Sequence, residues 1–327
     1  MPGFKEPYSE QVVLFDGQAI SFPRNKNHPE NQDAAFAAGD AYTSGQRKGV
    51  DEYGIPLRGY GAYGAIYICF QSLHKIQPSF DFVLAQILHA DEDGLIILQA
   101  ARDAFKTRKI SKRIHETLVN LLCIEPRVDE SCPIAQDAFT RIHFIPRVKS
   151  NKMRDLYSRG SVVLHPFPFG GSKTAADSIE AAVPIVTYPQ SYLRGRMAAS
   201  FLTTMAMHEI DDDVAAQVCC IATSISDYVS KALRLGRDRS YRKKVSHAMS
   251  VRSYRIWDDS QTSFEWAQFL TRAMGVIIDP TELAQEMNYT AEVWQTDNFL
   301  SRDIIQKQVQ WESASRLSAL SDVYSLG

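Results

Sequence analysis

Between residues 66 and 205, five short apolar runs alternate with stretches whose apolar residues recur at helical spacing, and few folds accommodate that order. The runs lie at 66–70, 95–98, 141–145, 161–164 and 184–188. Each is too short for an independent helix and rich in Ile and Val, so each reads as a strand. The intervening stretches predict helices at 79–89, 111–122, 150–158 and 173–182, with another at 191–205 after the last strand. Phe82, Val83, Leu84, Ile87 and Leu88 form the stripe of the first. Ile114, Leu118, Leu121 and Leu122 form that of the second, and Ser150 is the expected cap of the third. The strands show no alternation of polar residues, as expected when a parallel sheet is buried on both faces. With right-handed crossovers, the chain is expected to form an α/β, Rossmann-like, doubly wound parallel sheet. Ligands of such sheets bind at the carboxyl ends of the strands.

The flanks read differently. Up to residue 64 the chain is irregular, interrupted by Pro23, Pro29 and Pro56, with one short strand expected at 11–15. Beyond 205, helical spacing recurs at 224–236, 239–255 and 264–274. The expected organisation is an N-terminal segment (1–64), a ligand-binding lobe (65–275) and a helical C-terminal extension (276–327). A formal charge of −2 over 327 residues argues against an electrostatic nucleic-acid binder. No apolar run reaches the roughly 18 residues of a membrane span, and residues 1–8 lack the apolar centre of a secretory signal. The five cysteines lack metal-site spacing and form no regular framework, so they are expected to be small buried side chains in a reducing compartment. No metal site and a cytoplasmic or nucleocytoplasmic location are expected.

Residues 165–196 hold the most chemistry. Gly170 and Gly171 precede a helix start, where a small residue lets a ligand approach the backbone and the free N–H groups attract an anion. Ser172, Lys173 and Thr174 add donors. Asp177, one turn on, would repel a phosphate but suits a pair of sugar hydroxyls. Phosphate and diol sites one turn apart describe a nucleoside diphosphate. The same residues, Thr174 to Asp177, also fit a capping box with no ligand role. Lys75, just past the first strand, is placed to neutralise a departing diphosphate, or is a surface lysine. Arg194 and Arg196 either clamp phosphate or are solvated. His74 and His165 are candidate acid–base groups or structural histidines.

Taken in order, these segments resemble the C-terminal catalytic lobe of the O-GlcNAc transferase/SPINDLY family. The resemblance rests on Cys69 to Pro78, Arg141-Ile142-His143-Phe144, Phe167-Pro168-Phe169-Gly170-Gly171, Pro184 to Pro189, and Leu193 to Ser200. Residues 8–14 look like a strand of the family's other lobe, and the match spans roughly residues 8 to 274. The resemblance implies a GT-B fold and a metal-independent glycosyltransferase without a cofactor. Such an enzyme moves a sugar from a nucleotide donor, usually UDP-GlcNAc and in some relatives GDP-fucose, to Ser/Thr hydroxyls of a protein acceptor. It implies Lys75 as the catalytic contact to the diphosphate, Gly170, Gly171, Ser172, Lys173, Thr174 and Arg196 as donor-binding, and Asp177 on the ribose. The chain departs from the family at His165-Pro166, where an Asp-Thr pair is usual, and at Ser172-Lys173, where small residues, His or Thr are usual. The family's N-terminal lobe, with its acceptor contacts and candidate catalytic residues, finds almost no counterpart. No repeat period of about 34 residues is present. A separate N-terminal lobe or repeat-containing chain is therefore an expected partner, and a non-catalytic nucleotide-sugar-binding module is the alternative function.

Overall fold

The computed structural model describes residues 65–123, 132–149, 152–189, 192–207, 219–257 and 259–275, with a few positions between 15 and 57. The chain packs as two units, Met1–Ser9 with Asn25–Tyr254, and Glu10–Arg24 with Arg255–Gly327.

The first unit opens with a short antiparallel pair, β1 (Gly49–Val50) and β2 (Pro56–Leu57). Its centre is a five-stranded sheet of β3 (Ile66–Cys69), β4 (Leu95–Gln99), β5 (Ile142–Ile145), β6 (Val162–Leu164) and β7 (Ile185–Val186). All pairings are parallel and the spatial order is β5-β4-β3-β6-β7. Ile68 pairs with Ile97 on one side and Val163 on the other, so β3 is central. Every residue of β4 is buried, which explains why its sequence shows no polar alternation. The order runs outward from β3 to β5, then restarts at β6 on the other side. With right-handed crossovers this reversal puts helices on both faces and opens a crevice between the carboxyl ends of β3 and β6. The doubly wound sheet expected from sequence is the fold observed.

Helix α1 (Pro78–Ala90) starts with proline at its first turn and buries Phe80, Val83, Leu84, Ile87 and Leu88, while Phe82 faces out. Helix α2 (Ala104–Leu122) begins seven residues before the expected start. Asp103 caps it by accepting from the Phe105 N–H at 2.9 Å, and its exposed first turns carry no apolar stripe to reveal them. Helix α3 (Pro133–Thr140) was not foreseen. Helix α4 (Met153–Tyr157) takes Lys152 as its N-cap, and Ser150, the expected cap, lies outside the described residues. Next come α5 (Lys173–Glu180) and α6 (Met197–Thr204), the latter preceded by a separate 3₁₀ turn at Leu193–Gly195. The unit ends with α7 (Ile225–Arg237) and α8 (Arg239–Arg252).

The amino end of the sheet is tied by Arg141. Its buried guanidinium donates to the carbonyls of Leu88 (3.0 Å), Asp91 (2.9 Å) and Gly94 (3.2 Å). Asp91 in turn accepts from the Ala65 N–H and the Tyr67 hydroxyl, the latter at 2.9 Å. Cys69, Cys219 and Cys220 are buried as expected, while Cys123 and Cys132 are half-buried. Cys123 pairs with Cys132, and Cys219 with Cys220, leaving Cys69 as the free, buried one. Cys123 and Cys132 close the end of α2 onto the start of α3, a proximity that burial tendency does not encode.

In the second unit, Phe22 bridges Trp257, and Asp259 caps helix α9 (Ser260–Ala273). Ser21 Oγ accepts from the Asp259 N–H at 2.8 Å, and the Phe15 ring meets Trp266 edge-on at 5.0 Å. The strand expected at 11–15 lies outside the described residues except for Phe15, which is not in a strand. No helix among the described residues is long and apolar enough to cross a membrane.

Candidate functional site

The loop after β3 and the loop after β6 meet at the crevice where the strand order reverses. Leu73 and Ile76 are buried and anchor the first loop on either side of Lys75, which ends a 3₁₀ turn at Leu73–Lys75. The Lys75 ammonium donates to the Gly170 carbonyl at 2.8 Å and to Gln71 Oε1 at 3.0 Å, and lies 4.3 Å from the centre of the Phe169 ring. Burial lowers its pKa, against an opposing influence from Cys69. Lys75 is thus a half-buried cation inside the crevice rather than a solvated surface residue. From behind, Arg113 of α2 holds this loop. Its guanidinium donates to the Ile76 carbonyl at 2.6 Å and pairs with Asp81, whose carboxylate is fully buried, at 2.7 Å.

The glycine loop is held by His165. His165 Nε2 lies 2.9 Å from the Gly171 N–H and 3.1 Å from the Gly171 carbonyl, and Nδ1 lies 2.9 Å from Thr187 Oγ1, so both ring nitrogens are engaged whichever carries the proton. Burial depresses the imidazole pKa to about 4, partly opposed by the Gly171 backbone. This neutral ring with both nitrogens engaged is a brace and not an acid or base for the crevice. Its place in the loop explains Gly170, because a Cβ there would enter the imidazole, and a Cβ on Gly171 would meet Thr174 and Gln71. The Gly170 N–H is taken by the Arg194 carbonyl at 3.0 Å, while the Arg194 guanidinium stacks on Tyr192 at 4.4 Å. Phe167 locks the loop from below against Phe80, Tyr188 and Tyr228.

Helix α5 then starts with Ser172 as N-cap and Lys173 as first residue. Thr174 and Asp177 therefore lie inside the helix, and the capping-box reading is wrong for this segment. The Thr174 hydroxyl is bonded instead to Gln71 Nε2, and the Asp177 carboxylate to Lys173 Nζ. Burial raises the Asp177 pKa, with the Lys173 ammonium working against it. Ser172 Oγ is buried and has no hydrogen-bond partner. The first N–H groups of the helix have no intrahelical acceptors. The structure thus brings Lys75, Gly170, Gly171, Ser172, Lys173, Thr174 and Asp177 together. Arg196, the N-cap of α6, is exposed, and no described hydrogen bond joins it to the loop. His74 is exposed on the 3₁₀ turn.

Sequence reading overlooked Gln71, which links Lys75 to Thr174 and whose place just after a strand was the available signal. It also overlooked an open groove of about 500 Å³ at the carboxyl ends of β4 and β5, lined by Phe144, Pro146 and Val148 with Arg102, Arg147 and Lys149. Among the described residues no cluster of His, Cys, Asp or Glu has the arrangement of a metal site.

No protein-family model matches the chain. It is 26% identical over 183 residues to the probable UDP-N-acetylglucosamine–peptide N-acetylglucosaminyltransferase SPINDLY of Oryza sativa subsp. japonica. That alignment covers 56% of this chain and 16% of the rice protein. Among solved structures, an O-GlcNAc transferase of Thermobaculum terrenum superposes with a TM-score of 0.51 at 20% identity, covering 68% of this chain and 37% of that one. The chain is similar to the O-GlcNAc transferase/SPINDLY proteins. Its sheet and flanking helices have the fold of a Rossmann-like GT-B glycosyltransferase lobe. The C-terminal domain of a group 1 glycosyl transferase, LpcC of Francisella tularensis, is a further structural relative, with a TM-score of 0.39 at 14% identity over 76% of this chain and all of that one. Against its O-GlcNAc transferase and SPINDLY relatives the chain spans well under half of their length.

Proposed function

We propose that this chain is the donor-binding lobe of a glycosyltransferase that moves a sugar, GlcNAc from UDP-GlcNAc, to Ser/Thr hydroxyls of proteins. One observation carries the reading. A half-buried lysine and the open start of a helix converge on the crevice where the sheet reverses its strand order. In this reading the diphosphate lies against the first N–H groups of α5, with Ser172 and Thr174 as hydroxyl partners. The ribose hydroxyls donate to Asp177, and Lys173 and Arg196 add positive charge. The acceptor oxygen attacks the anomeric carbon as the bond to the diphosphate breaks. Lys75 and the helix start stabilise the charge that develops on the leaving group, and so supply what a metal ion would otherwise bring. The hydroxyl proton goes to a base outside this site, because both nitrogens of His165 are engaged.

Calorimetric titration with UDP, GDP and their sugar conjugates tests the proposal. One nucleoside diphosphate is expected to bind one-to-one, and the Lys75→Ala variant to bind it more weakly. A well-folded chain that binds none of them overturns it.

A second reading, a nucleotide-sugar-binding module completed by another chain, is favoured by α9. Leu270 near its end and Met274 at its C-cap are 48% and 69% exposed, four residues apart on one side. Binding of donor without sugar transfer, with transfer restored by a separately produced N-terminal lobe, would select that reading.

A further inference from the structure

The polar side chains of the crevice are closed on one another. Lys75 is held by Gly170 and Gln71, Gln71 by Thr174, and Asp177 by Lys173. Outside this chain of bonds stands Ser172 Oγ, buried and unpartnered at the cap of the same helix. Lys173 is out of place by local rules. It occupies the positive end of α5, where a cation is disfavoured, and it precedes its acidic partner by four residues, the weaker order for such a pair. A residue that breaks local preference beside a crevice calls for a function.

The two members of the pair differ in freedom. The Lys173 side chain is 64% exposed and the Asp177 side chain 10%. The carboxylate is therefore fixed in the wall, and the ammonium is the partner able to swing. A buried carboxylate needs a counter-charge or several hydrogen-bond donors, and Lys173 supplies the counter-charge. The two halves of a nucleoside diphosphate make opposite demands on this pair. The ribose hydroxyls need the lone pairs that Lys173 covers, and the phosphates need a cation.

We propose that Lys173 sets ligand specificity by exchanging partners, covering Asp177 until a phosphate draws its ammonium away. Asp177 then accepts the sugar hydroxyls only from ligands that also carry phosphate. The inference rests on the donor-lobe reading and adds to it a discrimination against bare nucleosides. It differs from simple attraction of an anion, in which Lys173 would not affect a ligand without charge.

The test is calorimetry of the full chain and its Lys173→Met and Lys173→Gln variants with UDP, GDP, uridine and guanosine, with folding checked by circular dichroism. Removing the ammonium is expected to weaken the bound diphosphate about tenfold and to tighten the matching nucleoside about threefold. Opposite shifts, or nucleoside binding that only the variants show, support the exchange. Parallel weakening of both ligands marks Lys173 as merely structural and overturns it, as does loss confined to the diphosphate. A wild-type chain that binds UDP or GDP keeps the donor-lobe reading intact whichever way the variants fall. If neither the wild type nor the variants bind any probe, both proposals fail together.

Discussion

The Lys75 ammonium donates to the Gly170 carbonyl across 2.8 Å, joining two loops that lie 95 residues apart in the chain. Neither loop alone specifies a site. Their contact places a cation beside the start of α5, and the first prediction follows from it. Lys75→Ala is expected to weaken nucleoside diphosphate binding tenfold or more, roughly the worth of one charge-assisted hydrogen bond. Calorimetry checks it, and unchanged affinity would remove Lys75 from the site.

Gly170 faces the ring of His165 with no room for a methyl group. Gly170→Ala must push either the ring or the loop aside, at a cost of about 1–3 kcal/mol. Urea unfolding measures this. Equal midpoints for variant and wild type would mean that the loop relaxes freely.

Arg113 both neutralises Asp81 and fixes the Ile76 carbonyl next to Lys75. Arg113→Ala leaves a buried carboxylate unpaired and is expected to cost about 3 kcal/mol. The double variant Arg113→Met/Asp81→Leu should recover much of that loss. If the single variant unfolds at the same denaturant concentration as the wild type, the pair is not holding the loop.

His165 gives the chain an acid-sensitive brace. Its folded-state pKa of about 4 lies below the ordinary value of 6.5, so the unfolded chain binds the proton more readily. The stabilisation is complete above pH 6.5 and is lost as pH falls toward 4. It makes the chain about 2 kcal/mol less stable at pH 5 than at pH 7. Asp81 and Asp177, whose pKa values are raised, work in the opposite direction, so the comparison must be with His165→Gln. That variant should show a flatter pH profile over this window, and an unchanged profile would exclude His165 as its source.

Much of the first unit was legible in the sequence because parallel strands bury both faces. Ile66–Cys69 and Leu95–Leu98 carry no charged or amide side chain, and short runs of that kind between amphipathic stretches fit strands buried on both faces. The early turns of α2 were not legible, since an exposed turn shows no stripe and its cap, Asp103, is one polar residue among several. At the site, the glycines and Lys75 stood out by position after strands. The roles of Gln71 and His165 did not, because each depends on a partner from another segment. The pair of Lys173 and Asp177 was visible as a spacing of four, yet it was read as two separate ligand contacts. Choosing between helix interior and capping box needed the observed start of α5.

The three carbonyls gathered by Arg141 have a consequence for how the sheet breathes. They knot together the amino ends of the strands, whereas the carboxyl ends of β3 and β6 run into loops joined mainly by side chains. Amide protons near Leu95 and Ile142 should exchange with solvent deuterium only through global unfolding, while those of Gly170 and Gly171 exchange through local opening. The protein would then loosen like a book bound at one edge, with its pages parting where a ligand is read.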